Sequence, residues 1–226
     1  MSEARRLDLQ MDYWNGVGPT KPFAHPVNIS QLRRWVGPTS RILDYGCGYG
    51  RALGILKDSG YTNLIGVDPA PAMIAAARQS FPSISFDVLS DYQKLNLPDG
   101  SVDAILLFTV LTCVPTDEGQ RAIIAEITRV LRSGGGLYIS DMFLQTDSRN
   151  VERYIRGEKK YGIYGVFDLR EGVTVRHHER AWIETLTRGY ESLALEEIAV
   201  QTMNGRPATA FQWFGRKSPD ARNRTT

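Results

Sequence analysis

The sequence predicts an α/β fold built on a largely parallel sheet. Three observations carry this. Short apolar runs alternate with helical patterns along the first two thirds of the chain, as strands joined by crossover helices do. The run Val102 to Phe108 is apolar on both faces, the mark of a central parallel strand. A glycine-rich loop follows the first such run and precedes a helical pattern.

The elements follow in order. Arg41 to Gly46 reads as a short buried strand ending in glycines, and Arg51 to Lys57 as a helix stopped by Gly60. Asn63 to Asp68 is the second strand. Pro69 to Gln79 is an alanine-rich helix with Pro71 in its first turn, where proline is tolerated. Ile84 to Val88 is a third strand, and Pro98 to Ser101 a turn before the fourth. Thr116 to Arg132 is amphipathic, with Ile123, Ile127 and Val130 at helical spacing; Gly134 to Gly136 ends it and Leu137 to Met142 is the fifth strand. Beyond it, Asp147 to Lys160 is a polar helix. Tyr164 to Leu169 and Val173 to His177 form a hairpin, Ala181 to Arg188 another helix, and Leu193 to Met203 and Thr209 to Arg216 two final strands. The first 25 residues hold at most one amphipathic helix, and a tail from Ser218 is expected to be disordered.

Composition narrows the function classes. The chain has 226 residues, which suits one domain able to bury a full core without disulfide or metal staples. A net charge of +2 gives no argument for nucleic acid, so none is expected as a partner. Arg216, Lys217, Arg222 and Arg224 are expected to form a solvated basic end. Cys47 and Cys113 read as reduced thiols, and no apolar run is long enough to cross a bilayer. The expectation is a cytoplasmic protein, with no membrane partner, no metal, and a monomeric or homodimeric state.

Function is carried by Asp44-Tyr-Gly46-Cys47-Gly48-Tyr-Gly50. Alternating glycines let the backbone turn tightly and approach a ligand. Arg51 stands where a dinucleotide fingerprint has its third spaced glycine, which disfavours a nicotinamide dehydrogenase and favours a nucleoside without a pyrophosphate. Asp68 ends the second strand, placed to bind ribose hydroxyls, and Asp91 follows the third, within reach of an adenine amino group.

These phrases, with Leu64-Ile-Gly-Val-Asp-Pro69, Leu97-Pro-Asp-Gly-Ser-Val-Asp103 and Val130-Leu-Arg-Ser-Gly-Gly-Gly-Leu137, resemble the class I S-adenosylmethionine (SAM)-dependent methyltransferases over about residues 42 to 142. The resemblance implies a Rossmann-like seven-stranded mixed sheet flanked by helices, its last strand antiparallel. It also implies an N-terminal cap (residues 1–27) and an inserted hairpin lid (residues 145–178) on a single methyltransferase domain. SAM would be the cofactor and S-adenosylhomocysteine the product. Asp44 would order the glycine loop or reach the methionine amino group through water, Gly46, Cys47 and Gly48 would serve the methionine end, Asp68 the ribose, and Pro69 and Met73 the adenine faces. Asp91 and the Tyr92 backbone would read the adenine edge, Phe108 would lie beneath the cofactor, and Tyr13 would close over it. The family often has Ala where Tyr92 stands.

Methyl transfer needs alignment of nucleophile, methyl and sulfur, and sometimes a base. The three histidines, His25, His177 and His178, all fall in the expected covers and are the candidate catalytic residues. His177 and His178 are adjacent on a strand, so only one is expected to face inward. Trp14, Phe143, Tyr164 and Arg176 are the candidate acceptor-binding residues. The expected reaction is transfer to an oxygen or nitrogen of a small molecule. The alternatives are an RNA or protein methyltransferase and a non-catalytic SAM-binding subunit. Phe108-Thr-Val-Leu111 stands where an Asn-Pro-Pro-Tyr-like motif would favour a macromolecular acceptor.

Overall fold

The computed structural model describes residues 7–16 and 20–219. Its frame is a seven-stranded sheet of order β3-β2-β1-β4-β5-β9-β8. The strands are β1 (Arg41–Tyr45), β2 (Asn63–Asp68), β3 (Ser85–Val88), β4 (Val102–Phe108), β5 (Leu131–Met142), β8 (Tyr190–Gln201) and β9 (Pro207–Lys217). The first five are mutually parallel, and β9 runs antiparallel between β5 and β8. This is the mixed sheet with an antiparallel last strand that the motifs imply.

Alternation along the strands sorts the core into two layers. Leu43, Ile105 and Ile139 face one side with Ile123 and Ile127, while Ile42, Leu106 and Tyr138 face the other with Leu53 and Leu56. The helices that cover these faces include α3 (Arg51–Asp58), α4 (Pro71–Ser80) and α5 (Asp117–Val130). The Thr116 side chain caps α5 by accepting from the Gly119 amide at 3.0 Å. Before them, α1 (Met11–Gly16) and α2 (Ile29–Leu32) are short.

The chain order reverses at β1, which lies between β2 and β4. Such a switch point opens a crevice beyond the carboxyl ends of the strands. Asp44, Asp68 and Phe108, all at those ends, come together there.

Between β5 and β8 lies the insertion. Helix α6 (Ser148–Tyr161) is capped by Asp147, which accepts from the Asn150 amide at 3.1 Å. It packs on a hairpin, β6 (Val166–Asp168) and β7 (Thr174–Arg176), followed by α7 (Arg180–Leu186). Helix and hairpin pack so closely that a Cβ at Gly157 would fall 1.7 Å from the Val166 carbonyl oxygen.

Three expectations need correcting. Helix α5 ends at Val130, not Arg132, because Leu131 already pairs with Val102 at the start of β5, and a bulge lets the glycines run on within the strand. Lys217 is buried rather than solvated: its ammonium donates to the carbonyls of Thr128 at 2.5 Å and Leu131 at 2.6 Å, at the end of α5 where a cation is favoured. Ser218 is tied to the fold by its amide bond to the Gly189 carbonyl at 3.2 Å. The rest of the expected tail, residues 220–226, and the first six residues of the expected cap lie outside the described residues.

Candidate active site

The glycine loop is built by the backbone. Gly46, Gly48 and Gly50 have φ values of +72°, +54° and +82°, the left-handed region open mainly to glycine. The Gly46 and Cys47 amides donate to the Val67 carbonyl at 2.8 and 3.0 Å, which pins the loop to β2. The Asp68 carboxylate accepts from the Gly48 amide at 3.0 Å and from the Ala70 amide at 2.8 Å. A Cβ at Gly46 would strike Val110 at 2.4 Å, and one at Gly50 would strike Phe86 at 2.8 Å. At Gly48 nothing lies nearer than 4.0 Å. Protein packing therefore demands glycine at 46 and 50, whereas Gly48 opens onto empty space.

That space is a cavity of about 110 Å³ lined by Asp44, Gly46, Cys47, Gly48, Asp68, Pro69, Met73, Tyr92 and Phe108. Asp44 is 2% exposed, and its carboxylate accepts no hydrogen bond from any described residue. Burial pushes its pKa up to about 8 despite the pull of Arg51. Burial raises Asp68 to about 6, with its two backbone bonds pulling back. Two desolvated acids beside an open glycine match the polar groups of SAM: ribose hydroxyls and a positively charged methionine end. The apolar faces of Pro69, Met73 and Phe108 suit an adenine ring, so the residues present fit the cofactor.

A second cavity of about 390 Å³ adjoins the first, sharing Phe23, Thr109 and Cys113. His25 and His177 line it. The His25 Nδ1 lies 2.9 Å from the Ser140 hydroxyl, and the His177 Nδ1 lies 2.6 Å from the Tyr154 hydroxyl. Burial lowers their pKa values to about 4 and about 3, so both rings are neutral at pH 7.

Several expected site residues are placed elsewhere. His178 faces away from His177, as strand alternation requires. Its ring is held by the Gln120 amide at 2.9 Å and the Met142 carbonyl at 3.1 Å, outside both cavities. Arg176 is 5% exposed and bound to Asp117 at 2.6 Å, so it is a buried structural cation rather than an acceptor clamp. Phe143 stacks on Phe211 at 4.4 Å, and Tyr164 packs against Tyr154 at 5.4 Å; neither lines either of these two cavities. Tyr13 is turned to the Met203 sulfur at 3.4 Å, while its neighbour Trp14 lines the Asp44 cavity rather than the larger one. Asp91 binds the Gln93 amide at 3.0 Å in its own turn and does not line the cavity. The adjacent Tyr92 does, and its hydroxyl donates to Asp8 at 3.0 Å.

Some wall residues carry no readable signal. Thr109 lies at the junction of the two cavities with φ +55°, a conformation costly for a β-branched residue and of the kind that clusters at functional sites. Its type does not announce that backbone. Asp8 enters from the N-terminal segment and also accepts from the Thr116 hydroxyl at 2.7 Å. Phe23 reaches the walls only because the chain folds back over the loop, where its ring meets that of Tyr49 at 5.5 Å. Among the described residues no cluster of His, Cys, Asp or Glu could hold a metal ion.

Comparisons with known proteins agree with this geometry. Residues 43–139 match the family described as methyltransferase domain. The chain is 30% identical over 139 residues to the ubiquinone biosynthesis O-methyltransferase of Xanthomonas campestris pv. campestris, covering 58% of this chain and 56% of that protein. It is 28% identical over 114 residues to the human eEF1A lysine and N-terminal methyltransferase, covering 46% of this chain and 16% of that one. The chain thus spans about half the length of the first relative and far less of the second. A SAM-dependent methyltransferase structure from Methanosarcina mazei superposes with a TM-score of 0.78 at 23% identity, covering 83% of this chain and 97% of that one. The sheet order and the glycine loop thus stand with a methyltransferase-domain match over residues 43–139 and with the fold of a SAM-dependent methyltransferase structure.

Proposed function

We propose that this chain transfers a methyl group from SAM to an oxygen or nitrogen of a small-molecule acceptor. The observation that carries the reading is the pair of adjoining cavities meeting at Phe23, Thr109 and Cys113. The first has the acids and open glycine for a nucleoside with a cationic tail. The second, at about 390 Å³, has the size and mixed lining of a small-molecule pocket.

Asp68 would hold the ribose hydroxyls, and Asp44 would answer the charge of the methionine end. Gly48 yields room that a side chain would take, and Pro69 and Met73 would flank the adenine. Bound SAM supplies an activated methyl group and a good leaving group. The chain's own work is alignment and exclusion of water. His25 and His177, neutral at pH 7, act as hydrogen-bonding groups toward an acceptor hydroxyl or amine. His178 is left out of this role. Residues 7–16 with 20–27, and residues 145–178, act as covers; the first supplies Phe23 and His25, the second His177. The relative named for ubiquinone biosynthesis favours a small acceptor, whereas the eEF1A-directed relative acts on a protein.

The test has two steps. Calorimetry is expected to show binding of SAM and S-adenosylhomocysteine. A screen of small hydroxyl- and amine-bearing acceptors with methyl-labelled SAM is then expected to yield a labelled small product. Labelling of protein or RNA substrates alone would sink the small-acceptor reading.

A further inference from the structure

The larger cavity has an unbalanced charge at one end. Arg149 and Arg153, one turn apart on α6, and Arg206, in the turn between β8 and β9, all line it. All three also line an outer recess that includes Arg156 and Arg170. Among the described residues no carboxylate lies within ion-pair distance of Arg149, Arg153 or Arg206. The nearby acids are engaged elsewhere: Asp147 by the Asn150 amide at 3.1 Å, Asp168 by Lys160 at 2.7 Å, and Glu171 by Lys21 at 3.1 Å.

Arg153 is the innermost and the most constrained. It is half-buried, its guanidinium lies 3.8 Å over the Phe167 ring, and it donates to the Asn150 side-chain oxygen at 2.7 Å. Burial first, then the charges of Arg149 and Arg206, lower its pKa to about 10 against the opposing charge of Asp147. Folding has thus gathered three like charges against one carboxylate in the same lining, Asp147, and partly desolvated Arg153 with no carboxylate in ion-pair contact among the described residues. Guanidinium groups recognise carboxylate and phosphate oxygens through paired N–H donors. The opposite end of the cavity is the Thr109–Cys113 junction with the cofactor cavity, and apolar Met142, Phe167 and Val175 lie in the same lining.

We propose that Arg149, Arg153 and Arg206 form an anion-binding mouth to the acceptor cavity, so that the methyl acceptor is an apolar or aromatic molecule carrying a carboxylate or phosphate group. This rests on the reading of the larger cavity as the acceptor chamber. The anionic head sits among the arginines and the apolar body along Phe167, which leaves the nucleophile at the Thr109 end.

The test uses three fragments on the full chain saturated with S-adenosylhomocysteine: benzoate, phenyl phosphate and benzyl alcohol, followed by ligand-observed NMR. One or both anions are expected to bind at least tenfold more tightly than benzyl alcohol, and the tighter anion identifies the head group. The double variant R149Q/R206Q, which changes two exposed residues, is expected to lose that preference while S-adenosylhomocysteine affinity is retained. R153Q is expected to do the same more strongly. Equal binding of benzyl alcohol, no binding of either anion, or an unchanged preference in R149Q/R206Q would overturn the proposal. Calorimetry with S-adenosylhomocysteine on the unmodified chain tests the methyl-transfer reading separately. Absence of binding there sinks that reading, while the same fragment comparison, repeated without S-adenosylhomocysteine, still decides the arginine mouth.

Discussion

The Arg51 guanidinium donates a 2.6 Å hydrogen bond to the backbone carbonyl of His25. Arg51 is the first residue of α3, directly after the glycine loop, and lines the smaller cavity; His25 lines the larger one. This bond ties the N-terminal segment to the end of the loop it covers, beside the Phe23 amide bonded to the Tyr49 hydroxyl at 3.4 Å. Arg51→Met keeps much of the side chain's volume but removes this bond. Amides of residues 20–27 are expected to exchange hydrogen faster, and S-adenosylhomocysteine to dissociate roughly tenfold faster, for a charge-assisted bond worth about 1.5 kcal/mol. Unchanged exchange in that segment would show that the tie does not hold it.

Asp68→Ala removes the acceptor expected to bind two ribose hydroxyls. A loss of roughly 3 kcal/mol, or about a hundredfold in SAM affinity, is expected by calorimetry. The same change frees the Gly48 and Ala70 amides, so the loop also loosens. Asp68→Asn keeps a side-chain oxygen for one of these amides and is expected to retain more stability than affinity. Equal losses in both properties would make Asp68 a purely structural residue.

The glycines separate packing from ligand approach. Gly46→Ala meets Val110 and carries left-handed strain, so a stability loss of roughly 2–4 kcal/mol is expected. Gly48→Ala carries comparable strain but meets nothing nearer than 4.0 Å, so about 1–2 kcal/mol is expected. Its methyl group nevertheless enters the cavity. SAM affinity in folded protein is therefore expected to fall more at Gly48 than thermal melting suggests. Full affinity in Gly48→Ala would remove this loop from the cofactor site.

His178→Ala is expected to lower stability by about 2–3 kcal/mol, since it opens a void at a fully buried site and removes the ring's contacts with the Gln120 amide and the Met142 carbonyl. S-adenosylhomocysteine affinity of the folded variant is expected to stay within twofold of the unmodified chain. A selective loss of affinity would return His178 to the site.

The frame was legible because its signals are local. Apolar runs, glycine spacing and the acids at the strand ends all lie within a few residues of the feature they specify. Pro69, Met73 and Phe108 reach the cavity for the same reason: their place is fixed by the strand each follows or ends. The covers were legible only as elements. The hairpin's register, Val166 with Arg176, was within reach of the turn at Gly172. The side chains it turns to the cavity depend on how α6 and the hairpin dock, which rests on contacts such as Gly157 against Val166. This is why Arg176 and Tyr164 were misplaced and why Arg149, Arg153 and Arg206 carried no signal. Thr109 was hidden for a different reason: its left-handed backbone is imposed by tertiary contacts, including its amide bond to the Ser140 carbonyl at 2.8 Å.

The buried acids and histidines give opposite pH dependences, and these separate by window. Asp44 has a folded pKa near 8 against an ordinary value of 3.8, so the folded state holds its proton more tightly. Its contribution to stability is full below about pH 4 and is lost as pH rises through 8. His25 and His177 have folded values near 4 and 3 against 6.5, so the unfolded state holds their protons more tightly. Their contribution is full above pH 6.5 and is lost as pH falls toward 4 and then 3. Between pH 6.5 and 8 only the Asp44 slope remains among these three, and urea titrations are expected to show stability falling there. Asp44→Asn is expected to flatten that slope while leaving the acid-side loss intact. Ligand binding supplies the complementary test: a cationic methionine end favours ionised Asp44, so SAM binding at pH 7 is expected to release a proton. Calorimetry in buffers of different ionisation enthalpy reads that release directly. Its absence in the unmodified chain, or its persistence in Asp44→Asn, would assign the proton to another group.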